Sequence, residues 1–175
     1  MREIKFRGKR IDNGEWVYGG FHKHQLKTPS PIIPKSEKPE EIEYAYLIIE
    51  SGFSDWNLPK PLLAHEVMPE TVGQFTGLYD SQRTEEYPEG QPIYEGDILN
   101  SENFPFQHRG HQLHYGVIEW SDEHSAFILR KHLVDPNQSK GSRGIANYLS
   151  FYEMSEFTKV GNIHENPELL GGDSE

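Results

Sequence analysis

Apolar and polar positions alternate from Glu3 to Lys9, placing Ile4 and Phe6 on one face and Lys5, Arg7 and Lys9 on the other. A period of two marks a strand with one buried side. Asp12-Asn13-Gly14 then offers a tight turn and Trp16-Val17-Tyr18 returns to β-type residues, so Glu3 to Phe21 is expected to be a hairpin with Phe6 and Trp16 in its core. Pro29, Pro31, Pro34 and Pro39, mixed with Lys and Glu, predict a loop from Thr28 to Glu43. Tyr44 to Glu50 and Leu62 to Met68 read as strands, the second with room for a helical turn, and the chain between them is irregular. Trp56 in that irregular stretch is expected as a satellite core contact rather than a ligand platform.

The stretch from Glu66 to Leu99 constrains the chain most. Val72, Phe75 and Leu78 with Thr71 and Thr76 form a β-type run, while Gly73 and Gly77 supply backbone freedom where a strand bends or ends. After a polar, acidic excursion from Ser81 to Pro92, Ile93-Tyr94 leads into the turn Glu95-Gly96-Asp97, and Ile98-Leu99 restarts the apolar run. Asn100 to Leu113 is an expected loop. Tyr115–Ser121 and Ala126–Arg130 are expected to pair as a second hairpin around Asp122 and Glu123. Asp135 to Gly144 is a polar turn region, Ile145 to Tyr152 fits either a strand or a short helix, and Glu156 to Val160 is the last expected strand. Asn166-Pro167-Glu168 predicts a capped terminal helical turn with Leu169 and Leu170 packed inward, and Gly171 to Glu175 should fray.

Composition narrows this picture. The 175 residues are 34% hydrophobic and 12% aromatic, with 16 Gly and 12 Pro, which favours a turn-rich, mainly β chain over long helices. The absence of cysteine excludes disulfides, thiolate metal sites and cysteine nucleophiles, and fits a reducing compartment. No apolar run reaches membrane-spanning length and the N-terminus lacks a secretion-signal core, so a soluble cytoplasmic protein with no membrane partner is expected. The formal charge is −11, with residues 1–27 net positive and the remainder strongly negative. An acidic body disfavours nucleic acid as the partner.

Candidate chemistry is sparse. His108, His111 and His114 recur every third residue, a metal-ligand spacing on a helix, but Pro105 and Gly110 argue against a helix, so no metal is expected. Asp80, Glu95 and Asp97 bracket one loop and could form the carboxylate cluster of a hydrolase, although acidic residues before strands more often bond local amides. Lys5, Arg7 and Lys9 beside aromatic residues are the candidate contacts for single-stranded nucleic acid. No phosphate-binding glycine loop, His-Glu-x-x-His or Gly-x-Ser-x-Gly occurs. The expectation is therefore a chain with no catalytic residues and no cofactor.

Several segments carry a family pattern, in order from one end to the other. They are Arg2-Glu3-Ile4-Lys5-Phe6-Arg7 with Trp16-Val17-Tyr18-Gly19, then Glu70 to Leu78 with Asp80, then Ile93-Tyr94-Glu95-Gly96-Asp97-Ile98, then Val160 to Leu170. Through them the chain resembles the YopX family of bacteriophage and prophage proteins. The resemblance implies a mainly β fold with an SH3-like barrel in the C-terminal part, an N-terminal β-hairpin and long loops. On that reading residues 1–64 hold the hairpin and Pro-rich loop and residues 65–175 the barrel region. It also implies a homo-oligomer with no established activity; the acidic body favours a protein, from host or phage, as the expected partner. Gly73, Gly77, Gly96, Asp97 and Gly161 are then read as structural turn positions, and the longer Ser81–Pro92 excursion inherits nothing.

Overall fold

The computed structural model describes residues 4–27, 43–53, 55–101, 113–134, 142–149 and 153–171, with the backbone alone for 113–114, 133–134 and 142–146. The Pro-rich segment, most of the expected loop through His108 and His111, most of the Asp135–Gly144 turn region and the last four residues lie outside that set. Two compact units divide the chain, Ile4–Gly73 and the part containing Gln74–Glu175. Among the described residues no helix is long and apolar enough to cross a membrane.

In the first unit β1 (Phe6–Lys9), β2 (Trp16–Gln25), β3 (Tyr44–Ser51) and β4 (Leu62–Glu66) form consecutive antiparallel pairs. The β1–β2 turn is the expected one. Gly14 sits at φ +73° and its N–H donates to the Arg10 carbonyl, while the Glu15 N–H donates to Asn13 Oδ1. The strands curl until the end of β1 meets the chain that follows β4. Arg10 bridges Val67, the Ile11 N–H donates to the Glu66 carbonyl and the Met68 N–H to the Lys9 carbonyl. A 3-10 helix, Pro69–Thr71, follows, and its buried Thr71 hydroxyl accepts the Lys9 N–H at 2.8 Å. The core inside the curl is Val17, Ile48 and Val67, with Phe6, Phe21, Tyr46 and Val72 packed against it.

Facing in β1 departs from the alternation at two positions. Ile4, expected inward, is 68% exposed, whereas Arg7, expected outward, is 2% exposed. The register places Arg7 opposite Tyr18 and Lys9 opposite Trp16, so one face of the hairpin carries both cations and both rings. The Arg7 guanidinium lies 4.8 Å from the Trp16 ring centre, a cation–π geometry that makes its burial tolerable. Phe6 joins the core as expected, and Trp16 is half-buried.

In the second unit β5 (Gly73–Tyr79), which starts at the unit boundary, pairs with β6 (Pro92–Tyr94), and Phe75 meets Tyr94 at 5.4 Å between ring centres. The ladder shifts register between Phe75 and Tyr79, around Gly77 at φ +86°, a bulge that needs a residue free of the left-handed penalty. A five-stranded antiparallel sheet follows, formed by β7 (Asp97–Asn100), β8 (Leu113–Ser121), β9 (Ala126–Val134), β10 (Ser142–Tyr148) and β11 (Thr158–Asn162). Its order is β10-β9-β8-β7-β11. The β8–β9 hairpin is the expected one, and the ambiguous stretch from Ile145 resolves as part of strand β10. Ile93, Leu99, Ile118, Phe127, Leu129, Leu149 and Phe157 form the core.

The fold is mainly β with a few 3-10 turns, as expected. Among the described residues the five-stranded sheet is open, with β10 and β11 as its two ends, so it does not close into the expected barrel. The terminal helical turn is the 3-10 helix Pro167–Leu170, in which Leu169 and Leu170 are partly buried. The cap expected of Asn166 is not made there. Its Oδ1 instead accepts the Asn162 N–H at 3.3 Å, because the side chain folds back over Gly161.

Candidate interaction surface

The groups best suited to chemistry are occupied in holding the second unit together. Asp80 is buried and its carboxylate accepts three main-chain N–H groups: Gln91 at 2.7 Å, Lys159 at 3.0 Å and Gln82 at 3.1 Å. It thereby pins both ends of the Ser81–Gln91 excursion to β11. Gly90 is required opposite it, at φ +105° with no room for a Cβ against the Asp80 carbonyl. Asp97 is fully buried, accepts the Tyr94 N–H at 2.8 Å and pairs with Lys159 Nζ at 3.0 Å. Lys159 also reaches the Pro92 carbonyl at 3.4 Å. Lys159 therefore joins Asp80, through its main chain, to Asp97, through its side chain. Nothing local in the chain signals this role, since an isolated Lys in a strand carries no pattern of its own.

Glu95, the third carboxylate, turns elsewhere, with Oε1 3.4 Å from the Trp120 N–H. Gly96 beside it holds the turn at φ +81°, donates its N–H to the Ile118 carbonyl and accepts the Ile163 N–H at its own carbonyl. A polar cleft of about 600 Å³ opens between Gln82, Asn100, Ser101, Glu156 and Thr158, and none of Asp80, Glu95 and Asp97 lines it. Among the described residues no group of three or more His, Asp or Glu side chains could hold a metal. His114 lies on β8, where only the backbone is described.

Each of the candidate basic contacts is at least half-buried. Arg7 is stacked on Trp16, Lys9 is half-buried, and Lys5 precedes β1 half-buried. Beyond β1, Arg10 reaches Asp12, with Nε to Oδ1 at 2.8 Å. That bond holds the Asp12 carboxyl below its ordinary pKa and the Arg10 guanidinium above its own.

The most exposed large apolar side chains lie at the β3–β4 end of the first unit. Trp56 is 82% exposed, which overturns its expected place against the core. The local chain turns it out. Asp55 Oδ1 accepts the Trp56 N–H at 2.7 Å and Asn57 takes φ +66°, a tight reversal that leaves the indole against Phe53, edge to face at 5.9 Å. Phe53 is itself 70% exposed. Leu58 and Leu62 continue the apolar surface, and the Gly52 N–H closes the base of the loop on the Pro61 carbonyl at 2.7 Å. Two aromatic rings held outward on a closed loop are the anchor type that dominates protein–protein contacts. Phe53 and Trp56 amid Ser, Asp, Asn and Pro were the available sequence signal, because such a segment has no strand or helix to carry its rings inward.

These features define a small mainly β protein whose carboxylates act as internal braces and whose aromatic tip faces solvent. The chain matches the family described as YopX protein over residues 5–171, nearly its whole length, and it belongs to that family. No curated protein and no solved structure matches it.

Proposed function

We propose that this chain is a phage- or prophage-encoded, non-enzymatic module of the host cytoplasm that self-associates and recognises a protein through the Phe53–Trp56 tip. The observation that carries the reading is the exposed edge-to-face pair itself. Burying both rings against a partner would remove apolar area worth several kcal/mol by transfer bookkeeping, on the order of 25 cal/mol per Å². A protein partner is favoured over nucleic acid by the net charge of −11 and by the burial of Arg7. A binding role is favoured over hydrolysis by the commitment of Asp80 to three amides and of Asp97 to Lys159.

Photo-crosslinking from position 56 in cells that produce the protein tests this. A discrete crosslinked protein that disappears with Phe53→Ala is expected. Crosslinks no more specific than those from a probe at Glu85, in the acidic excursion, would overturn it.

A further inference from the structure

The first unit ends in a strand edge with an open window. The β3–β4 ladder runs in unbroken register from Leu47↔Glu66 to Ser51↔Leu62. The Val67 N–H donates to the Tyr46 carbonyl and the Gly52 N–H to the Pro61 carbonyl, so residues 61, 63, 65 and 67 point their main-chain groups at β3. Residues 62, 64 and 66 therefore point theirs away. The Glu66 carbonyl on that outer side accepts the Ile11 N–H, which closes one end of the edge. At the other end the N–H and C=O of Leu62 and Ala64 meet no partner among the described residues. Leu62 is 76% exposed, and Leu63 and Ala64 are exposed as well. Natural edge strands are usually blunted by a Lys, a Pro or a bulge, and Leu62–Glu66 holds none of these.

We propose that this window binds the same window of a second copy of the chain, antiparallel about a two-fold axis at Leu63. The proposal rests on the self-association in the reading above and names its surface. The window is self-complementary in that register. Leu62 of each copy exchanges both main-chain hydrogen bonds with Ala64 of the other, which satisfies the outward groups of both residues. Leu63 faces Leu63 of the second copy across the axis. Lys60 falls opposite Glu66 of the second copy, and both side chains are exposed, so each copy supplies both signs of charge at matching positions. Shifting the axis to Ala64 would place Leu62 against Glu66, whose carbonyl already accepts Ile11, and would lose the charge match.

The cysteine-free sequence makes the test direct. Leu63 is a non-hydrogen-bonded position across the axis, where Cα atoms lie about 4.5 Å apart, within the range that a disulfide spans. Under mild oxidation Leu63→Cys is expected to form a disulfide dimer at least tenfold faster than Glu85→Cys, a control thiol in the exposed excursion. Ala64→Pro removes an N–H that β3 does not use, and is expected to cut the sedimenting mass at least twofold with circular dichroism unchanged. If Ala64→Pro does not fold, the Leu63→Cys rate alone decides. A wild-type oligomer in which Leu63→Cys is no faster than the control overturns the edge and leaves self-association standing. A wild-type monomer at every concentration overturns both.

Discussion

The Asn166 side chain occupies the space that a Cβ on Gly161 would need. Gly161 lies where the β11–β7 ladder shifts register, and Asn166 also donates its main-chain N–H to the Asn162 carbonyl at 2.9 Å. The bulge and the terminal turn are therefore one locked unit. Gly161→Ala is expected to cost about 1–3 kcal/mol through overpacking. In an Asn166→Gly background the same substitution should cost less than half as much. Urea unfolding of the four proteins in this cycle measures the difference, and equal costs in both backgrounds would separate the two residues.

Lys159 and the two aspartates carry a second prediction. Asp97→Ala leaves a nearly buried ammonium facing a lost partner and should destabilise by about 3–5 kcal/mol. Lys159→Met in the same background should recover a large part of that loss, because the uncompensated charge is gone. Asp80→Ala leaves the amides of Gln82, Gln91 and Lys159 without their acceptor, and should cost about 3 kcal/mol or more. Hydrogen exchange over residues 81–91 should accelerate in Asp80→Ala, since the carboxylate closes that excursion.

The Arg10–Asp12 pair predicts a pH effect of defined sign. The folded Asp12 carboxyl titrates below its ordinary value, chiefly through its hydrogen bond to Arg10. Its contribution is thus complete above the ordinary aspartate pKa and is lost as pH falls through the lowered folded value. Asp12→Asn should remove that acid-side loss, so the gap between wild type and variant in urea midpoint narrows from neutral pH to about pH 3. Asp12 is well exposed and Arg10 is half-buried at the surface, so the effect is small and salt-sensitive.

Local features of the fold were legible from the chain, and distant ones were not. Asp12-Asn13-Gly14 set the first hairpin and the break between Ser121 and Ala126 set the second, because a turn and its flanking alternation lie within a few residues of each other. The pairing of β11 with β7 joins residues far apart in sequence, and no local pattern encodes it. The same holds for Asp80 and Lys159, whose bond fixes the role of the carboxylate. Residue type alone points to Asp80 and Asp97, but their function as braces depends on that distant strand. Alternation turns Arg7 to solvent because it reports only which residues share a face, and the Trp16 ring that covers it lies on the neighbouring strand. Large rings usually bury, which predicts Trp56 inward, whereas Asp55 and Asn57 build a reversal that holds it out.

Oxidative footprinting of the intact protein, dilute and purified against inside the producing cell, tests the central claim most directly. Trp56 and Phe53 should react rapidly in the dilute protein and be protected severalfold in the cell, while buried Tyr94 reacts slowly in both. Equal reactivity of Trp56 in the two settings would mean that nothing covers the tip, and the recognition role assigned to it would be wrong.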